Sequence, residues 1–396
     1  MRPGLVMLLL LLVALIALSC TASGLGVSFT GWAGPTVSGD TIYLASKRGS
    51  PRAAILALDA LTGTEQGRFT ARGEPIAIYG TPLVERNILY TTSVYEMGSN
   101  RFGRVWAVAE GNLSVRVWEF PAQGRDAMGP LFGGVAFSRE TNTIYVGSDD
   151  GKVYAMDATD GSPKRSGSGV FFNAKSPIWS TPVVSDGVVY FGTMGGTLFG
   201  IREEGGKVLE FKAGGAIAGT PVVKDGVVYV GSFDKKFYAI GAGGRANWTF
   251  SAGNWFWGQP LLAQDPRIGA VIFVGSLDGK VYALDAVSGK LRWFGQTGQG
   301  IRAGPVLASK ARTGGLFSSL SDQVLVVGSR DGKVYGFDPI TGNPAWPAFD
   351  AGGRVLSPPI AEGNVVYFVN MDYELFAIDA SVGGRLPGWI AGGQGQ

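Results

Sequence analysis

Three sets of residues in this sequence have the types and spacing for chemistry. Cys20 is the only thiol. Asp59, Asp157, Asp285, Asp338 and Asp379 recur after similar apolar runs, and large aromatics recur three residues ahead of a series of prolines. The rest of the catalytic repertoire is thin. No His occurs in 396 residues, which removes the commonest general base and the commonest metal ligand together. Neither a Ser-His-Asp or Cys-His nucleophile nor a His-ligated zinc or haem can be assembled within the chain. With one Cys there is no intrachain disulfide, so packing and strand pairing must hold the fold.

The aspartates read as structure. An acid that returns at the same point of repeated units makes an Asx-type turn, its carboxylate accepting backbone N–H groups just ahead of it. Asp150, Asp278 and Asp331, each followed by Gly, mark hairpin turns that need positive φ. We therefore expect no catalytic residue, no metal site and no cofactor, and a protein that binds rather than converts.

The element that positions these residues is a repeat. Thr181-Pro182-Val183-Val184 followed by Val188-Val189-Tyr190-Phe191-Gly192 returns as Thr220-Pro221-Val222-Val223 and Val227-Val228-Tyr229-Val230-Gly231, 39 residues later. Equivalent prolines are read at Pro35, Pro82, Pro130, Pro182, Pro221, Pro260, Pro305 and Pro359, which makes eight units. The second half of a unit is clearest in Gly279-Lys280-Val281-Tyr282-Ala283-Leu284-Asp285, followed by Ser288-Gly289 and Trp293. Each unit reads as a four-stranded antiparallel meander: Pro opens the first strand, where a missing N–H is tolerated, and Gly pairs turn the hairpins. The central residue of the third strand is small in every unit: Ala57, Ala107, Ala155, Gly200, Ala239, Ala283, Gly336 and Ala377. A bulky neighbour must lie against it, and Trp118, Trp248, Trp293, Trp346 and Trp389 are the candidates, wedged between sheets. A lone meander cannot bury both faces, whereas eight arranged radially bury them against one another. The expected fold is all-β, an eight-bladed β-propeller over 27–392, with Val27-Ser28-Phe29 helping to close the ring near Trp389. Insertions are read after Pro130, Pro260 and Pro305, the longest over Lys310–Asp322, and another at Met97–Gly103.

In such a ring the fourth-to-first and second-to-third loops share one face. Three residues ahead of each proline stand Trp32, Tyr79, Ala127, Trp179, Ala218, Trp257, Arg302 and Leu356, with Trp255 and Phe256 beside Trp257. These side chains converge near the axis. Either they plug a narrow funnel, or they form an amphipathic surface for a protein partner; a sugar could also stack on such rings. Arg302 either binds an anionic group or pairs with an acid. The second-to-third loops add Lys47, Arg48, Asp149, Asp234, Lys235, Arg330 and Asp372 to the turn acids, a mixed charge suited to a polar rim.

Composition agrees: 63 Gly and 20 Pro accompany short strands and tight turns, and a net charge of +3 without a basic run gives no nucleic-acid footprint. The apolar run Leu5–Leu18 is short for a membrane span, which needs about 20 residues, and has the length of a signal-peptide core. Ala17-Leu18-Ser19-Cys20 resembles the bacterial lipoprotein signal, in which the Cys becomes the lipid-modified first residue; Ala17 departs from the usual Leu. We expect a signal over 1–19, lipid on Cys20, and a tether over 20–26. An uncleaved anchor and a plain secretory signal are the alternatives.

The unit Val-Tyr-Ala-Leu-Asp-Ala-x-x-Gly-Lys-x-x-Trp resembles the quinoprotein (PQQ-like) propeller repeat, and with the lipoprotein signal the chain is similar to the BamB-like group. That resemblance implies an exported scaffold lipoprotein of the cell envelope with a protein partner, such as a barrel-assembly or other envelope complex, on the periplasmic face of the outer membrane in a diderm or the outer face of the cytoplasmic membrane in a monoderm. The alternatives are a glycan or cell-wall receptor using the aromatic mouth and, after it, a quinone-dependent oxidoreductase. The quinone-dependent alcohol dehydrogenases of this repeat class carry a vicinal Cys pair, acidic calcium ligands and an Asp base; this chain has no such Cys pair.

Overall fold

Each unit of the repeat forms one four-stranded antiparallel sheet whose strand order follows the chain. The computed structural model describes residues 33–47, 53–71, 75–97, 99–122, 128–165, 167–310, 319–387 and 389. The eight blades span 36–69, 83–120, 136–173, 183–212, 222–251, 261–296, 306–350 and 360–385, and they stand in a ring. The remaining regular element among the described residues is a 3-10 turn, Leu320–Asp322. No helix of the described residues is long and apolar enough to cross a membrane. The expected signal and tether, Cys20, Val27–Phe29, Trp32, Arg48 and Ala127 lie outside the described residues.

Strand register corrects one reading. The residue after the proline pairs with the second-strand Tyr in Thr36↔Tyr43, Leu83↔Tyr90, Val183↔Tyr190, Val222↔Tyr229 and Ile360↔Tyr367. In blade 3 the Tyr145 partner is Ala136, so Val135, not Pro130, holds the proline position. Pro130 lies earlier, in the loop from blade 2, where its carbonyl accepts from Asp149 N–H. Pro is favoured at a strand's first residue but not required there, and Val135 serves. The large insertion read after Pro130 shrinks accordingly.

The seams between blades explain the repeat's sequence. Trp118, Trp248, Trp293, Trp346 and Trp389 each donate their indole N–H to a backbone carbonyl of the next blade: Ala158, Ala286, Pro339, Ala380 and Ala60, at 2.9–3.1 Å. Three of those carbonyls accept a second bond, from the hydroxyls of Tyr90, Tyr229 and Tyr367. Both lone pairs of a buried carbonyl are thereby used. The small third-strand residue is the cross-strand partner of the Trp in Ala107↔Trp118, Ala239↔Trp248 and Ala283↔Trp293. The turn glycine of the following blade lies beneath the ring: a Cβ on Gly342 (φ +76°) would sit 2.6 Å from Trp293. Ring closure uses the same device, since Tyr367 and Trp389 of the last blade both bond to Ala60 of the first, over a shared apolar cluster that includes Ile42, Leu44 and Leu375.

The recurrent aspartates make the expected turns. Asp285 Oδ1 accepts from Val287 N–H, Ser288 N–H and Ser288 Oγ; Asp59 and Asp338 repeat the arrangement, and Asp379 accepts from the N–H and hydroxyl of Ser381, two residues on. Partial burial works against the Asp285 charge, but the Ser288 and Arg292 hydrogen bonds outweigh it and hold its carboxyl at about 2. Of the insertions, Met97–Gly103 lengthens a hairpin of two ten-residue strands, Ile88–Met97 and Asn100–Ala109. Within Lys310–Asp322, residues 311–318 lie outside the described residues; Ser319 Oγ and Leu320 N–H both bond to the buried Asp265.

Candidate functional site at the axial mouth

Where first strands start, neighbouring loops nest backbone to backbone around the axis. A Cβ on Gly80 would meet Gly133 O at 2.5 Å, and one on Gly219 would meet Trp257 O at 2.4 Å, so only Gly allows this approach. The loops surround a cavity of about 450 Å³. Tyr79, Trp179, Trp257 and Arg302 line it, with Ala218 and Leu356. The corrected register adds Phe132, three residues ahead of Val135, in place of Ala127. Phe132 is the residue that sequence reasoning missed, and Tyr145, not Pro130, was the marker that locates it.

The lining is built from two aromatic groups with a gap at Ala218. On one side Tyr79 packs edge-on against Phe132 (5.1 Å), which packs against Trp179 (4.9 Å). Tyr79 and Phe132 are buried, and Trp179 is half-buried. The Trp179 indole N–H donates to Asp149 at 2.7 Å. Burial pushes the Asp149 carboxyl above its usual range, opposed by that bond and assisted by the neighbouring Asp150. On the other side Trp255 stacks parallel on Phe233 (4.6 Å), Trp257 leans on the same ring (4.9 Å), and the Arg302 guanidinium lies over Trp257 at 4.2 Å. Trp255 thus joins the group through Phe233 rather than by lining the cavity. The sequence pattern singles out neither Phe233 nor Phe132; beside Phe233 it marks only Asp234 and Lys235. Phe256 does not belong here: it is fully buried, packed on Phe237 and Tyr282 in the seam between blades. Alternation sends its side chain to the opposite side from Trp255 and Trp257.

The acids of this face have work already. Asp234, Asp278 and Asp331 each accept from the backbone N–H two residues on and from a Tyr hydroxyl four residues on, at 2.5–2.7 Å. Each also accepts from a Gly N–H in the loop leaving the preceding blade: Gly214, Gly253 and Gly298. They staple loops together and leave little capacity for a cation. Among the described residues no group of three or more acids, His or Cys is placed to hold a metal ion. The calcium-bound quinone of the dehydrogenases therefore does not fit this donor set, and the sequence lacks their Cys pair.

A closed ring of eight repeated blades joined by tryptophan seams, with its loops gathered on an aromatic axial mouth, defines a β-propeller of the quinoprotein-repeat class. The family described as outer membrane protein assembly factor BamB matches residues 21–168, 164–308 and 299–389, and the chain belongs to that PQQ-repeat, BamB-like family. A search of curated proteins found no match. Among solved structures, the computationally designed Ika8 protein is similar over 90% of this chain and 98% of its own, with a TM-score of 0.66 and 15% identity. BamB from Moraxella catarrhalis is similar over 73% of this chain and 82% of its own (TM-score 0.54, 18% identity). Quinohemoprotein alcohol dehydrogenase from Comamonas testosteroni is similar over 74% of this chain and 62% of its own (TM-score 0.55, 15% identity). At these identities the structural likeness speaks for the fold alone.

Proposed function

We propose that this chain is a non-catalytic scaffold of the cell envelope, anchored by lipid on Cys20, that binds a protein partner with its mouth face and acts as a BamB-like assembly factor. The observation that carries the reading is the contrast within that face. The carboxylates of Asp234, Asp278 and Asp331 are consumed as loop staples, while Trp179, Trp257, Arg302 and Leu356 remain half-buried around a cavity large enough to admit side chains. Aromatic and Arg side chains beside a desolvated pocket are what protein hot spots use. The family description, an outer-membrane assembly factor, supports an envelope complex as the partner. A glycan receptor is less favoured: Trp257 is engaged by Phe233 and Arg302, and Trp179 by Phe132 and Asp149, which leaves little ring face for a sugar.

The test places a photo-cross-linking amino acid at Ala218 in the full chain, in its native membranes, with Val287 on the opposite face as control. Ala218 should yield an adduct with one envelope protein and Val287, which is 82% exposed, should not. Equal labelling from both positions, or none from Ala218, overturns the reading. Metabolic labelling with a fatty-acid probe, lost in Cys20→Ser, tests the anchor.

A further inference from the structure

The mouth is not the same all the way round. Phe233, Trp255 and Trp257 form a compact group between blades 5 and 6. Backbone bonds identify their counterparts between blades 7 and 8. Phe233 donates its N–H to Ala216 O, and Arg330 donates its own to Gly300 O. Trp255 O accepts from Leu277 N–H, and Arg354 O accepts from Met371 N–H. Trp257 and Leu356 each stand three residues before a blade's proline and both line the cavity. Where the first seam stacks two rings at 4.6 Å, the second therefore carries Arg330 and Arg354 at the equivalent backbone positions, with Leu356 in place of Trp257.

Two adjacent cations are unfavourable unless an anion joins them. Arg330 and Arg354 are exposed and form no ion pair with a described residue. Of the two turn acids that flank them, Asp331 is held by Lys333 N–H, Tyr335 and Gly298, and Asp372, whose carboxylate lies against Gly353, forms no ion pair with either arginine. Arg302, over Trp257, carries a third guanidinium on the same side of the cavity. An Arg fork matches a carboxylate in a bidentate manner. Two exposed arginines beside an apolar pocket are too few for a phosphate polymer, whose binding scales with the number of charges neutralised, and they suit a short acidic and apolar stretch of polypeptide.

We propose that the mouth recognises an acidic segment of a partner protein, whose apolar side chain enters the cavity beside Leu356 while its carboxylates pair with Arg330 and Arg354. This rests on the scaffold reading above and adds the charge and position of the contact.

The probes are short labelled peptides of alternating Leu and Glu, Leu and Gln, and Leu and Lys, titrated against the full chain by fluorescence anisotropy. The Glu peptide should bind about tenfold or more tighter than the Gln peptide at low salt, with the difference shrinking as salt rises. The double variant Arg330→Glu/Arg354→Glu, whose melting temperature should be unchanged because both sites are exposed, should reverse the preference toward the Lys peptide. Equal binding of the Glu and Gln peptides, an unreversed preference, or tighter binding of an oligonucleotide or an anionic phospholipid vesicle than of the Glu peptide overturns the proposal. The Ala218 cross-link separates the two readings. An adduct lost in the double variant supports the arginine contact. An adduct that persists there leaves the scaffold standing and removes the contact, and an adduct in neither chain removes both.

Discussion

The molecule carries two series of aromatic side chains at the same period, one in the seams and one at the mouth, and they differ in variety. Five seam tryptophans, Trp118, Trp248, Trp293, Trp346 and Trp389, make the same bond to the next blade, whereas Trp106, between blades 1 and 2, donates to Ser93 Oγ of its own blade. The mouth series reads Tyr79, Phe132, Trp179, Ala218, Trp257, Arg302 and Leu356 among the described residues. Five blades solve the packing problem at the seam with the same residue and the same bond, while blade 1 places Gly67 opposite Ala57 and blade 4 places Leu209 opposite Gly200. A position pointing into open space at the axis has no shared problem, so its residues can diversify toward a ligand. Uniformity within a repeat marks the fold, and diversity at a repeated position marks the candidate site.

That contrast can be broken most directly at a seam. Trp118→Ala removes a buried indole and its bond to Ala158, and should cost about 3–5 kcal/mol in denaturant unfolding. Trp293→Ala should behave alike, and a loss under about 1 kcal/mol would show that the seam does not hold the ring. Gly342→Ala attacks the same joint from the other blade, with a methyl 2.6 Å from Trp293 at a φ of +76°; about 1–3 kcal/mol is expected from overpacking, with the strained backbone adding to it. Acid should probe the turns. Asp285 is held at about 2, below the usual carboxylate value of about 4, so the unfolded chain binds its proton first as pH falls. Its contribution is complete above about pH 4 and is lost progressively toward pH 2. Asp285→Asn should flatten that part of the stability profile, and an unchanged profile would remove Asp285 from the account. The smallest effect on stability belongs to the mouth. Trp257→Ala should cost about 1 kcal/mol, the scale of its ring and cation contacts, while reducing the Ala218 cross-link severalfold. A cost of several kcal/mol with undiminished cross-linking would make the mouth a seam by another name.

Blade number, strand order, seam tryptophans and turn aspartates were all legible in the sequence, because each depends on a residue type repeated at a fixed spacing. Blade 3 shows the limit. Pro130 looked like its neighbours in the series, yet the pairing of Tyr145 with Ala136 sets the register, and Val135 takes the first-strand position. Register follows the ladder of backbone bonds and the side chains facing the core, and one proline does neither. The same slip hid Phe132. Phe256 was misplaced because adjacency along a strand-like segment was taken for a shared face, whereas neighbours alternate. Phe233 and the Arg330–Arg354 pair were out of reach, since they meet their partners through loops of different blades.

The closing joint has a mechanical consequence. Within each blade the strands are held by ladders of backbone hydrogen bonds, but among the described residues no strand of the last blade is supplied from the start of the chain. Among the described residues, blades 8 and 1 are joined by side-chain packing and by the two donors gathered on Ala60 O. Among the described residues, a pull applied between residues 33 and 389 loads that packed joint in shear, where the load falls on side chains rather than on a ladder of backbone bonds.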